Sequence, residues 1–249
     1  SSQADGVKRI QSSAVVMMWH IYAGFLTAWH TAHGAPVVVA LAGGSGSGKT
    51  HLAGLLKDAI GKEHVSTLSH DHYYRDQSHL SPEQRDNLNF DHPDMLDSAL
   101  LLKHINSLKN GDNVSAPVYN FSTHSRSGFQ DIFPAPLVLV DGMMLLADPA
   151  LVEAFDFRTF VDTPADVRLL RRIRRDMAGR GRSLEKILEQ YEKTVRPMHD
   201  LFVEPSKIHA DMVVSGAEGA RMTSLVKIIS GLAQPSPQCD NDVAMCTYK

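Results

Sequence analysis

The chain has 249 residues, 43% hydrophobic and 21% charged, with a formal net charge of −3. That balance supports a sizeable core and excludes wholesale disorder and a globally basic nucleic-acid binder, although a local basic patch stays open. The two cysteines, Cys239 and Cys246, exclude a disulfide framework and a four-thiolate zinc site, so a reducing compartment such as the cytoplasm is the simplest setting.

Residues 1–34 read as an N-terminal extension. Lys8 and Arg9 precede an apolar run from Ala14 to Trp29, interrupted by His20, Gly24 and Thr27. The run falls short of the roughly 20 residues that a spanning helix needs. A signal peptide is the sharper alternative, but His30 to Ala35 makes a poor cleavage context. An ordinary helix or an unstructured extension is the preferred reading, with no membrane partner.

Pro36 to Ala42 is a valine-rich strand of the kind buried on both faces. Lys49 to Ile60 has helical spacing, with Leu52, Leu55, Leu56 and Ala59 on one side. Val65 to Ser69 is a second strand, and Asp94 to Leu108 a helix with Gly111 just past its end. Strands follow at Leu137 to Val140, Phe157 to Val161 and Asp211 to Val214. Helices are expected at Asp166 to Met177, Ser183 to Thr194 and Met222 to Leu232. The alternation predicts an α/β fold, a mainly parallel sheet with helices on both faces, in one domain over 35–233. Asn113 to Phe133 breaks the rhythm and reads as an inserted hairpin or lid. From Gln234 the chain has two close prolines and no periodicity, so 234–249 reads as a flexible tail.

Gly43, Gly44, Ser45, Gly46, Ser47, Gly48, Lys49 and Thr50 match the phosphate-loop pattern of Gly, four residues, Gly, Lys and Ser/Thr. Glycines let the backbone wrap a phosphate and turn its N–H groups inward, and the following helix adds its positive end. Lys49 is suited to the β- and γ-phosphates and Thr50 to Mg²⁺. An apolar strand before and an amphipathic helix after argue against a mere glycine-serine linker.

Two acids follow strands. Asp141 ends the run Val138-Leu139-Val140 and suits Mg²⁺, with a turn aspartate before Gly142 as the other reading. Asp71 follows the second strand, where a carboxylate could take a proton from an attacking hydroxyl; a loop salt bridge is the alternative. Seven arginines lie between Arg168 and Arg182, with Asp176 as the lone acid. A solvated basic face, an RNA-contact patch and a lid over polyphosphate all fit that density. Within it, Arg168 and Arg171 are expected to face solvent, and Arg180 and Arg182 beside Gly181 to form the lid.

These segments, in order, resemble the uridine kinase family. The resemblance rests on the phosphate loop, Ser69-His70-Asp71-His72-Tyr73-Tyr74-Arg75, Asn89-Phe90-Asp91-His92-Pro93-Asp94, and Pro117 to Arg126. Arg180-Gly181-Arg182-Ser183, Gln190-Tyr191 and Val203-Glu204-Pro205-Ser206-Lys207 extend it over residues 36 to 215. The resemblance implies transfer of the γ-phosphoryl group of ATP or GTP, with Mg²⁺, to the 5′-hydroxyl of uridine or cytidine. It implies that Asp71 is the base and that Asp91 and Arg172 hold ribose hydroxyls. Tyr74, Phe90, Tyr119 and His124 would surround the pyrimidine, and Arg182 and Gln190 would complete that site. Arg175 and Arg180 would face the donor phosphates, with Thr50 and Asp141 at the metal. It also implies a homo-oligomer, usually a tetramer, with no nucleic-acid partner.

Three positions depart from the family pattern. Asp141 stands where a Glu is usual, Asn120 replaces an Asp, and Ser215-Gly216-Ala217-Glu218 lacks the basic turn. A phosphoribulokinase-like sugar-phosphate kinase is the rival among enzymes. A non-catalytic nucleotide-binding or RNA-binding protein is the rival outside them, and it leaves Asp71 and the Tyr119–His124 region unexplained.

Overall fold

A computed structural model describes residues 35–86, 88–216 and 225–229. The expected N-terminal extension and the C-terminal tail lie outside these residues.

Strand β1, Val37–Ala42, is buried at every position, so its near-continuous apolar run has cover on both faces. The phosphate loop leads from it into helix α1, Lys49–Ile60, which turns Lys49, Leu52 and Leu56 inward. Strand β2, Val65–Ser69, follows, and a 3₁₀ turn at His70–Tyr73 carries Asp71 off its end. Helix α2, Pro82–Asp86, is a short element with no periodic signal behind it.

The helix expected from Asp94 starts later, as α3, Ser98–Lys109. Pro93–Met95 forms a separate 3₁₀ turn, Leu96 pairs with Tyr74, and Asp97 caps the helix by accepting from Leu100 N. Strands β3, Val114–Asn120, and β4, Ser125–Ile132, form the inserted antiparallel hairpin, with a register shift at Val118/Tyr119. Its tip holds His124 at φ 51, the left-handed region.

Strand β5, Leu137–Gly142, is followed by the short helix α4, Pro149–Ala154, and strand β6, Phe157–Asp162. Helix α5, Ala165–Arg180, outruns the expected Met177 and stops where Gly181 adopts φ 63. Helix α6, Leu184–Gln190, then passes into π-turns at Tyr191–Val195 and His199–Val203. Strand β7, Met212–Ser215, closes the sheet. Of the expected closing helix, residues 225–229 are helical with Leu225 and Ile229 buried, and the rest lies outside the described residues.

The five-stranded sheet has the order β2-β5-β1-β6-β7 and is parallel throughout. Sequence neighbours β1 and β2 are separated by β5, so the chain ends of β1, β2 and β5 open onto one crevice.

Candidate active site

The donor half is built on tight backbone packing. Gly46 has φ 80, and a Cβ there would stand 2.5 Å from Arg168 O. At Gly44 a Cβ would meet Arg168 Nη1 at 2.6 Å and the His199 ring at 3.0 Å. Glycine is required at Gly46, where a Cβ would strike the α5 backbone, while at Gly44 side chains of α5 and the second π-turn press on the loop. The backbone hydrogen bond from Ser47 N to Gly44 O, 3.0 Å, and the left-handed Gly48, φ 104, complete the curve.

Lys49 Nζ donates to Gly43 O at 2.8 Å and Gly44 O at 3.0 Å. Burial lowers its pKa, opposed by the charges of Asp71 and Asp141. Thr50 Oγ1 donates to Asp141 Oδ2 at 3.3 Å. Burial and then the nearby Asp71 charge raise the Asp141 pKa. Both acids thus face the phosphate loop, and Asp71 Oδ1 is buried with no hydrogen-bond partner among the described residues.

Arg168 and Arg171 depart from expectation. Arg168 is buried and donates from Nε to Thr163 O at 3.0 Å. Arg171 donates to Gly216 O at 3.1 Å and Ser47 O at 3.3 Å, tying the loop to the end of β7. Arginines three residues apart share one face of a helix, and here that face meets the loop rather than water. Gly216 tolerates no side chain, since a Cβ would overlap Thr163 Oγ1 and Ser47 O.

The acceptor half is aromatic. Tyr74 lies 5.1 Å from Tyr119 and 5.9 Å from Phe90 between ring centres. Phe90 stacks on His124 at 4.3 Å and 17°. Tyr119 Oη is buried without a hydrogen-bond partner among the described residues. A cavity of about 50 Å³ touches Asp71, Tyr74, Asp91, Tyr119 and Gln190, with Ser45, Arg172 and Arg175 toward the loop. A wider one, about 630 Å³, shares Phe90, Phe121, His124, Arg180, Arg182 and Gln190 with it. Of the expected phosphate-loop residues, Ser45 alone lines the acceptor cavity, and Gly43, Gly44, Gly46, Ser47, Gly48, Lys49 and Thr50 do not.

Polar side chains link the halves. Arg172 donates to Ser45 Oγ at 3.1 Å and Gln190 Oε1 at 2.8 Å. Arg182 reaches the same Gln190 oxygen at 3.0 Å and His124 Nε2 at 3.2 Å. Arg175 Nη2 lies 3.5 Å from Ser45 Oγ. Arg180 lies 4.5 Å over the Phe121 ring, on the acceptor rim rather than against the loop. Burial raises the Asp91 pKa, partly offset by the Arg172 charge and a hydrogen bond from Thr194.

Three residues of this site had no assigned role in the sequence. Phe121 sits inside a motif already singled out, so its aromatic character was the available signal. Thr194 Oγ1 lies 2.8 Å from Asp91 Oδ2 and 3.0 Å from Gln190 O, and only its place four residues after Gln190 hinted at this. Asp176 was visible as the lone acid in a basic run.

The sequence matches the Phosphoribulokinase / Uridine kinase family over residues 38–222. It is 45% identical over 182 residues to a uridine kinase of Chloroflexus aggregans, covering 73% of this chain and 87% of that one. It is 45% identical over 185 residues to a uridine kinase of an Enterobacter species, covering 72% and 86%. Among solved structures, the D-glycerate 3-kinase of Cryptococcus neoformans superposes with a TM-score of 0.58 at 17% identity, covering 81% and 97%, a likeness of fold. With the match running from β1 past β7, through both halves of the crevice, the chain is a kinase that belongs to the Phosphoribulokinase / Uridine kinase family.

Proposed function

We propose that the chain transfers the γ-phosphoryl group of ATP or GTP to the 5′-hydroxyl of uridine or cytidine, giving UMP or CMP. The observation that carries this reading is one cavity joining Ser45 of the phosphate loop to Asp71 and to an aromatic wall. Tyr74, Phe90, Tyr119, Phe121 and His124 suit the flat, neutral face of a base. Asp91 and Arg172 suit the ribose hydroxyls, and Arg182 holds His124 and Gln190 at the edge of that pocket.

In the reaction the 5′-oxygen attacks the γ-phosphorus as the bond to the β–γ bridging oxygen breaks. Asp71 takes the hydroxyl proton from its place in the cavity lining. Lys49 and Arg175 stabilise charge spread over the phosphate oxygens, and Arg180 stands at the acceptor rim. Thr50 and Asp141 offer oxygens suited to Mg²⁺, which keeps waters and phosphates as its other ligands. Burial and then the Asp71 charge raise the Asp141 pKa, and a cation held there would oppose both. When bound, Mg²⁺ would neutralise the β- and γ-phosphates. The family likeness supports a homotetramer, and the cysteine content a cytoplasmic setting.

A coupled ADP-release assay over uridine, cytidine, adenosine, ribulose 5-phosphate and pantothenate tests the reading. Turnover with uridine or cytidine is expected. Turnover with ribulose 5-phosphate alone would replace it with a sugar-phosphate kinase.

A further inference from the structure

We propose that Asp176 is a positioning residue that couples the donor and acceptor halves of the crevice through the arginines around it. Its side chain is fully buried at the centre of four guanidinium groups. Oδ1 lies 2.7 Å from Arg175 Nε and 3.3 Å from Arg180 Nη1. Oδ2 lies 3.7 Å from Arg172 Nε and 3.8 Å from Arg182 Nη1. Arg175 extends to Ser45 of the loop, Arg172 bridges Ser45 and Gln190, and Arg182 reaches Gln190 from the acceptor side. The one carboxylate therefore touches arginines that span the crevice from the loop to the acceptor cavity, a span whose meaning rests on the functional reading above.

The two sides are unequal. Oδ1 accepts a hydrogen bond from Arg175. Oδ2 and the facing Arg172 Nε are both buried, and neither makes a hydrogen bond among the described residues. Opposite charges held apart in this way leave two buried polar groups unsatisfied. A shift of about 1 Å would make a charge-assisted bond of ordinary length. Burial acts to raise the Asp176 pKa, but the Arg175 hydrogen bond and the arginine charges overcome it and hold the group below the usual carboxylate range. Asp176 is thus a carboxylate at neutral pH.

Asp176 and the neighbouring Asp91 are two carboxylates against four guanidinium groups, which leaves the cluster positive. Phosphates arriving at Arg175 supply negative charge there, and Asp176 then draws closer to Arg172. Closing that gap orders Arg172 and Gln190 for the nucleoside. By linkage the nucleoside must raise nucleotide affinity by the same factor.

Isothermal titration calorimetry on the full chain tests this with the β,γ-imido analogue of ATP, Mg²⁺ and uridine, together and apart. In wild type, the analogue is expected to tighten uridine binding by about fivefold or more. Asp176→Asn can keep the Oδ1 contact with its amide oxygen but then turns an N–H₂ group toward Arg172 Nε–H. Its analogue affinity should stay within about threefold of wild type, and its coupling factor should fall to about one. Coupling that persists in Asp176→Asn, or equal loss of both affinities in a folded variant, overturns the proposal. Should that variant not fold, hydrogen exchange at Arg172 Nε–H in wild type carries the test. Adding the analogue to the free protein should slow it about tenfold or more, and an unchanged rate overturns the proposal. Wild type that binds and phosphorylates no pyrimidine nucleoside refutes the functional reading instead, whatever the variant does.

Discussion

Asp71 sits on the 3₁₀ turn beyond β2 with one oxygen buried and unpartnered, beside the cavity that the loop and the aromatics share. A base needs a place in the wall of the acceptor cavity, which Asp71 has. Asp71→Asn keeps the shape and removes the proton acceptor. We expect kcat to fall by about a hundredfold or more, with Mg-nucleotide affinity within about threefold of wild type. Equal loss of turnover and nucleotide affinity would make Asp71 part of the phosphate site. Asp141, one side chain away from Thr50, is the shorter relative of the usual Glu, yet it still reaches the Thr50 hydroxyl.

At the scale of elements, the π-turn at Tyr191–Val195 brings Gln190 and Thr194 to the acceptor cavity together, Gln190 toward Arg172 and Arg182, Thr194 toward Asp91. Insertions of this kind often mark functional sites because they re-aim side chains. Thr194→Val removes a hydroxyl without changing volume and leaves Asp91 Oδ2 without that partner. The uridine KM should rise about tenfold while the ATP KM stays level, since one buried hydrogen bond to a charge contributes on the order of 1.5–3 kcal/mol. Steady-state kinetics checks this, and a parallel rise in both KM values would contradict it. The phosphate loop was legible because its glycines, lysine and threonine are consecutive. The strands were legible because apolar runs as short as Val37–Ala42 fit little else. The π-turn was not, because a helical periodicity carries no mark of one added residue. Nor was the burial of Arg168 and Arg171, which depends on a loop more than a hundred residues away in sequence. The start of α3 shifted because Leu96 pairs with Tyr74, a long-range contact that overrides the local pattern.

Over the whole molecule, acid stability follows from histidines packed beneath the crevice. Burial holds the His70 pKa down from 6.5 to about 4, and the ring is 1% exposed against Ser98. Native His70 stays neutral while the unfolded chain takes up a proton near pH 6.5, so unfolding gains a proton as pH falls and stability declines from there toward pH 4. Between pH 7.5 and pH 5 this residue contributes a loss of about 2 kcal/mol. Asp91 and Asp141, raised by burial, act in the opposite sense at lower pH, and they do so equally in a variant that retains them. Urea denaturation at both pH values should show a smaller loss in His70→Gln than in wild type by about that amount. Identical losses would contradict a buried neutral His70. The central claim concerns the whole crevice, a phosphate loop and an acid serving one nucleoside alcohol, and ³¹P NMR of the product formed from ATP tests it most directly. With uridine the account predicts a new monoester signal of UMP, and with 5′-deoxyuridine none; equal phosphorylation of both, or of neither, would contradict it.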